Sequence, residues 1–391
     1  MNLINQFQTS LERQVIDRLQ GPLESVRGLP NYAFTSDDFY ALEQEKLFSR
    51  TWVFAGRLSE VPNIGDRKPF DRAGQPFFLI RDADNQVRVF HNVCPHRGAK
   101  IVPAEDTGKS IVCPYHAWTF EIDGHLRARP HFHGPGLNDN SIQPDKNQIC
   151  LEQVRSAIWA DWIFINIDGQ APEFESYTGP MRRDWSEYDL SNLELVKKFT
   201  VEYGCNWKLA IENYCDFYHV FKVHPELNDS LSSQKRTAMH CEDAILHNET
   251  WTHEGYSSIT AQEMLVSMPH LGGRLEEGRR RTVFGVIFPN CAVNIHRSDV
   301  QFSYFEPVGP AATRLHRYFY FPSEVVSNAQ YEKECRLICQ DWEKVLREDE
   351  AVCQLIQEGR KSSAYDGGRF APAWDEGTRH FHRLVAQSLF E

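Results

Sequence analysis

Two stretches of this 391-residue chain concentrate side chains that bind metals. In the first, NVCPHRGAKIVPAEDTGKSIVCPYHAW (residues 92–118), Cys94 and His96 form a C-x-H pair, and Cys113 and His116 form a C-x-x-H pair. Two thiolates and two imidazoles can close a single tetrahedral zinc site. They can also hold a two-iron cluster in which each loop gives its Cys to one iron and its His to the other. The C-x-H pair is tighter than the usual spacing of a zinc knuckle, and the two pairs lie on separate loops. Both details favour the iron–sulfur cluster. Imidazole in place of thiolate raises the potential of such a cluster, so it passes electrons onward instead of acting as a strong reductant. Arg97, Tyr115 and Trp118 flank the ligands, where they can shield the cluster and tune its potential.

The second stretch is NWKLAIENYCDFYHVFKVHPEL (residues 206–227), with His219 and His224 five positions apart. That interval is awkward on one helical face, where residues three or four apart are neighbours. Pro225 disfavours helical geometry at His224, so the helix should end or bulge between the two rings. Glu212, Asp216 and His219 recur at +4 and +3 and read as one polar stripe on an otherwise apolar helix. Two His and a carboxylate form the facial triad of non-heme Fe(II) sites. The third ligand expected is Asp349, which interrupts the apolar series Ile338, Trp342, Val345, Val352 and Ile356 on a long helix. A charge on the buried side of a helix needs a partner, and a metal would serve. Asp216 is the alternative ligand. Glu348 and Glu350 are expected on outer, solvated faces.

The elements that must position these groups can be read from the same sequence. Residues 36–55 predict a short helix leading into a strand, and the pattern to 168 is β-rich. PFFLIRD and QVRVFHNV flank an Ala-Asp-Asn turn, WTFEI runs into an Asp123-Gly124 turn, and AIWADWIFINID closes the region as a β-prone run. GQAPEFESYTGP reads as a linker. Beyond it, LELVKKFTVEY, TVFGVIFPNCAVNIH and RLHRYFYFP read as strands, NWKLAIENYCDFYHVFKVH as a helix, and 328–358 as a long amphipathic helix. The order fits an α+β chain, an antiparallel sheet with helices gathered on one side. The domains expected are a helical segment over 1–45, a metal-cluster domain over 46–168 and a catalytic domain over 169–391.

With CPHRG and CPYHAW carrying the first site, the chain resembles the Rieske non-heme iron oxygenases, the aromatic-ring-hydroxylating family, over roughly residues 45–360. The later segment from Asn206 to Pro225 and Glu348-Asp349 resemble that family as well. The resemblance implies an all-β Rieske [2Fe-2S] domain on Cys94, His96, Cys113 and His116, and a mononuclear iron on His219, His224 and Asp349. It further implies that Asp216 bridges to the cluster histidine of a neighbouring subunit, at the position of His116, in a head-to-tail homotrimer. The in-chain path between centres would be too long. The activity implied is that of a terminal oxygenase alpha subunit, hydroxylating or oxidatively demethylating a small organic, aromatic substrate with O2. The alternative is a monooxygenase of a quaternary ammonium compound, which the single-chain length and the RPHFHGPG loop resemble. That branch often carries E-C-Y-H-C where this chain has D-F-Y-H-V, nearer to the ring-hydroxylating members.

Bulk properties exclude other classes. A formal net charge of −12 leaves no basic surplus for nucleic acid. The N-terminus has no apolar signal core and no apolar run reaches membrane-spanning length, so a cytoplasmic enzyme is expected. Ten cysteines then fit a reducing compartment. No G-x-G-x-x-G opens a strand–turn–helix, so NAD(P)H and flavin are expected on a separate reductase, with or without a ferredoxin. Phe217, Met264, Met268 and Phe302 are candidate pocket residues that read more readily as core. Arg279–Arg281 reads as a solvated turn, and Cys335 with Cys339 as buried packing. Two other readings stay open: a Rieske electron carrier without a triad, and a zinc-stabilised binding module.

Overall fold

The computed structural model describes residues 15–137, 148–230, 239–253, 268–276 and 279–390. Met264, and residues 1–14 of the helical segment expected over 1–45, lie outside these. The chain divides into two compact units, Phe48–Ala171 and Met1–Leu47 with Pro172–Glu391. The N-terminal segment therefore groups with the second unit.

The first unit is built from short strands: β1 (Trp52–Arg57), β2 (Asp66–Arg72), β3 (Gln75–Arg81), β4 (Val87–His91), β5 (Asp106–Thr107), β6 (Ile111–Val112), β7 (Thr119–Phe120), β8 (Leu126–Ala128), β9 (Arg155–Trp159) and β10 (Trp162–Asn166). They form three sheets, ordered β1-β10-β9, β4-β3-β2-β5 and β6-β7-β8. AIWADWIFINID is thus a hairpin, not one run, because Ala160 takes a left-handed φ of 52° and turns the chain between β9 and β10. At the Asp-Gly turn Gly124 has φ +96°, and a Cβ there would lie 2.7 Å from the Phe90 ring. Only glycine fits.

The two loops that carry the Cys-His pairs repeat one backbone design. Cys94 N–H donates to Ala99 O and Gly98 N–H to Cys94 O, at 2.8 and 2.9 Å. Cys113 N–H donates to Trp118 O and Ala117 N–H to Cys113 O, at 2.8 and 3.0 Å. The residue four after each Cys, Gly98 or Ala117, takes positive φ. Asn92, fully buried, holds the first loop closed: its Oδ1 accepts from Ile101 and Val102 N–H at 3.0 and 2.8 Å, and its Nδ2 donates to Val102 O at 2.8 Å.

The second unit carries an antiparallel sheet of β11 (Leu193–Tyr203), β12 (His240–Glu242), β13 (Ile245–His253), β14 (Leu275–Glu276), β15 (Arg279–Ile287), β16 (Cys291–Ile295), β17 (Val300–Gly309) and β18 (Ala312–Pro322). The order is β11-β18-β17-β16-β15-β13-β12, with β14 on β15. The long helix Glu332–Gly359 lays Cys335, Ile338, Cys339, Trp342 and Val345 against Phe284, Phe319 and Phe321 of the sheet. The linker expected at 169–180 instead contributes to two short helices, Phe174–Tyr177 and Gly179–Asp184, because Phe174 and Met181 are buried. Nor is Arg279–Arg281 a turn. It begins β15, and Arg281 is buried between Glu187 and Glu249, at 2.6 and 2.5 Å.

Asn92→Leu removes the acceptor for two buried amides at a cost of about 1–3 kcal/mol each. Its denaturation midpoint should fall clearly; an unchanged midpoint would contradict this account of the loop.

Candidate functional site

In the first unit Cys94 and Cys113 are each 2% exposed, part of the core with Phe78, Phe90, Ile101 and Ile111, while His96 and His116 sit at the rim. The two imidazole rings face each other with centroids 4.7 Å apart. Trp118 stacks on His96 at 4.6 Å and 3°, and Tyr115 lies 3.7 Å from His116. Arg129, itself buried, places its guanidinium 5.6 Å from the Trp118 ring. Burial, His116 and Arg97 together hold His96 below the ordinary imidazole pKa, which keeps it in the neutral form that binds metal. Burial, with Cys113 alongside, pushes the Cys94 thiol up.

Two observations test which metal centre these residues fit. His116 Nδ1 is buried with no hydrogen-bond partner among the described residues, as a nitrogen reserved for a ligand bond would be. A single tetrahedral zinc would draw all four donor atoms within about 4 Å of one another. Among the described residues, only His219, His224 and Asp349 form a potential metal-ligand group of three within 4.8 Å. No three of the four cluster residues approach that closely, so they fit a wider two-iron cluster with thiols inside and imidazoles outside.

In the second unit the helix over 206–224 is not continuous. Helix Trp207–Cys215 starts on Asn206, whose side chain accepts from Lys208 N–H at 3.0 Å. Glu43, on the N-terminal segment, accepts from Trp207 Nε1 at 2.9 Å and pairs with buried Lys208. The helix ends at Asp216, earlier than its apolar pattern predicts, because Asp216 Oδ1 accepts from Tyr218 N–H at 2.5 Å and turns the chain. His219 begins a four-residue helix, Val220–Val223, and His224 is non-helical ahead of Pro225. The two breaks replace the awkward +5 spacing by two independently aimed rings, 5.1 Å apart.

Both rings present Nε2 to Asp349 Oδ1, His224 at 2.8 Å and His219 at 3.5 Å. Each Nδ1 meets a second carboxylate: His219 that of Asp216 at 3.3 Å, His224 that of Glu348 at 2.7 Å. Asp216 thus backs a histidine from the ring's far nitrogen and is not itself in the converging group. Asn213 Nδ2 donates to Asp349 Oδ1 at 2.7 Å. Burial opposes charge on His219, but the hydrogen bonds to Asp216 and Asp349 outweigh it and raise its pKa to about 9. Burial likewise opposes charge on Asp349, and the two imidazoles outweigh it, holding the carboxyl well below its usual range. Protons here stand where a cation would, and the donor set of two nitrogens and one carboxylate suits iron.

Three expectations need correction. Glu348, 29% exposed, does not simply face solvent: its carboxylate fixes His224 at 2.7 Å, while Glu350, 28% exposed, pairs with Arg347 at 2.7 Å. Glu212 does not share a stripe with His219. Once the helix breaks at Asp216 it belongs to a separate buried group, with His382 at 2.7 Å and Arg360 at 3.4 Å. The apolar series on the long helix also drifts after Asp349, leaving Ile356 38% exposed and burying Cys353 and Gln357. Phe217 and Met268 lie in the core cluster that also holds Cys335 and Cys339, and Phe302 is fully buried. Glu348 and Asn213 escaped sequence reasoning; only adjacency to Asp349 and the short distance to Asp216 pointed to them.

Residues 190–390 match the ring-hydroxylating alpha subunit family over its catalytic domain, and residues 51–141 match the Rieske [2Fe-2S] domain. The chain is 27% identical over 373 residues to the carnitine monooxygenase oxygenase subunit of Escherichia coli K12, covering 92% of this chain and 93% of that one. It is 24% identical over 383 residues to the glycine betaine monooxygenase oxygenase subunit of Pseudomonas aeruginosa UCBPP-PA14, covering 90% and 87%. The solved structure of a quaternary ammonium Rieske monooxygenase has the same fold, with a TM-score of 0.76 at 24% identity over 96% of this chain and 98% of that one.

Removing a carboxylate that orients a metal-binding histidine typically costs about 10–100-fold in metal affinity. Glu348→Gln should therefore weaken Fe(II) retention by that order, measured as iron held after dialysis, while Glu350→Gln should retain it. Equal retention in both variants would remove Glu348 from the site.

Proposed function

This chain belongs to the ring-hydroxylating oxygenase alpha subunits, with a Rieske [2Fe-2S] domain, and from that premise we propose that it oxygenates a quaternary ammonium compound. Rieske oxygenases are O2-dependent oxidoreductases that act on small molecules with electrons from a reductase or ferredoxin. The observation that carries the substrate reading is the near full-length similarity to carnitine monooxygenase, joined by glycine betaine monooxygenase. It weighs against the aromatic substrate suggested by the D-F-Y-H-V segment.

In this reading Cys94, Cys113, His96 and His116 would hold the cluster, and His219, His224 and Asp349 the mononuclear iron. When bound, the cluster supplies single electrons and the iron supplies activation of dioxygen. The protein's own part is positional. Asp216 and Glu348 lock the ring orientations of His219 and His224 through Nδ1 and make both Nε2 atoms more basic ligands. Asn213 fixes the Asp349 carboxylate in its place. Phe217, two residues before His219, and Trp342, seven before Asp349, share one core cluster with Phe284, whose ring centroid lies 5.3 Å from that of Phe217 and 6.3 Å from that of Trp342. Aromatic faces attract a cation that has no N–H to offer, at about 0.5–2 kcal/mol per contact, and they exclude water.

Asp216 would carry electrons from a neighbouring subunit's cluster in a head-to-tail homotrimer. Its side chain is 27% exposed, and Tyr218 and Phe221 beside it are 50% and 60% exposed, which supports a covering partner. In the first unit Tyr115 and Val93, next to the cluster loops, are 58% and 38% exposed. Cytoplasmic residence belongs to the same reading, supported by ten cysteines without a disulfide. Among the described residues no helix is long and apolar enough to cross a membrane.

With a reductase and NADH present, carnitine, glycine betaine or choline should stimulate O2 uptake. Uptake only with aromatic hydrocarbons would overturn the substrate reading. Asp216→Ala, reconstituted with Fe(II) to the iron and sulfide content of the wild type, should lose substrate-dependent O2 uptake; normal turnover by the fully loaded variant would rule out the bridge.

A further inference from the structure

Against the rings of Phe284 and Trp342 lies a polar group that no candidate metal ligand uses. His296 follows β16, in a turn closed by His296 N–H on Asp299 O at 2.9 Å. Its Nδ1 donates to Asp299 Oδ2 at 3.0 Å, and Asp299 is 3% exposed. Gln301 Nε2 also donates to Asp299 Oδ2, at 2.9 Å, and Gln301 Oε1 accepts from buried Arg317 at 2.5 Å. Asp299 and Arg317 offset each other's charge through Gln301, so the whole cluster can stay buried. One atom is left over. His296 Nε2 is buried and has no hydrogen-bond partner among the described residues.

The ring carrying that atom is wedged among aromatics. Trp342 stacks on it at 4.7 Å and 27°, and Phe284 lies edge-on at 5.7 Å. Phe284 in turn meets Phe217, two residues before His219. Trp342 sits seven residues before Asp349 on the long helix, nearly the same face and about 10 Å along its axis. A buried imidazole nitrogen left unpaired costs free energy that a bound partner would recover.

We propose that His296 Nε2 is the anchor for the oxygen-bearing end of the substrate. Asp299 holds the ring, the Phe217, Phe284 and Trp342 rings face the trimethylammonium group, and at Nε2 the neutral ring accepts from a hydroxyl while the imidazolium, balanced by Asp299, donates to a carboxylate. This deepens the quaternary ammonium reading and rests on it. The substrate class it selects is a short trimethylammonium compound with an oxygen function at the far end, ahead of a purely alkyl ammonium ion.

Two substitutions separate this role from simple packing. Asn at 296 can keep the bond to Asp299 while lacking an atom at Nε2; Gln can place an amide nitrogen or oxygen there. Titrations of the metal-loaded enzyme would use γ-butyrobetaine (carboxylate), choline (hydroxyl) and butyltrimethylammonium (neither). His296→Asn should weaken γ-butyrobetaine or choline about 10- to 100-fold, with butyltrimethylammonium little changed and His296→Gln partly restored. Loss for γ-butyrobetaine alone assigns the anchor to a carboxylate, and loss for choline alone to a hydroxyl. Equal weakening of all three ligands, or none, overturns the anchor and leaves the ammonium reading standing. Failure of the wild type to bind any of the three sinks both.

Discussion

Everything in the second unit depends on burying Asp349 beside two imidazoles. A carboxylate on the inner face of a helix is costly unless its charge is met. Here His219, His224 and Asn213 all point at the same oxygen, Oδ1. That convergence requires two rings from one short stretch of chain to aim independently. Asp216 and Pro225 provide it by breaking the helix on either side of His219 and His224. The same Asp216 that stops the helix also backs His219, so a backbone feature and an electrostatic one share a residue.

The supports reach far from the site. The helix that leads to His219 is anchored at its start by Asn206 and by the buried Glu43–Lys208 pair, which draws the N-terminal segment into this unit. Removing one member of such a pair strands the other's charge, so the segment acts as a brace for the site. In the first unit the solution is different. Two loops of the same backbone design bury their thiols and leave their imidazoles half-buried at the rim, with Asn92 bonding the first loop shut. One side of a cluster held there is insulated and the other side is open to partners.

Much of this was legible where residue type alone carries the chemistry. The two Cys-His pairs, and His219, His224 and Asp349, which the fold brings together, are conspicuous because thiols, imidazoles and an acid in an apolar stripe have few other reasons to be there. The chain's local bends were harder to read. An apolar period of 3.6 continues through Asp216 as if the helix did, yet one side chain-to-amide bond ends it, and the Glu212–Asp216–His219 stripe disappears with it. Glu348 was hidden for a similar reason. Adjacent helix positions differ by about 100°, which suggests an outward residue, but a Glu side chain is long enough to reach back to His224. His296 and Asp299 come from a turn between strands, where no periodicity marks a buried pair.

The central claim is that one chain carries both a two-iron cluster and a separate mononuclear iron. Iron and acid-labile sulfide per chain, measured on anaerobically purified protein, test it most directly. The account predicts about three irons and two sulfides, two of each in the cluster and one iron at the triad. A ratio of about two to two that persists after Fe(II) reconstitution would leave a bare electron carrier. Zinc without sulfide would contradict the account altogether.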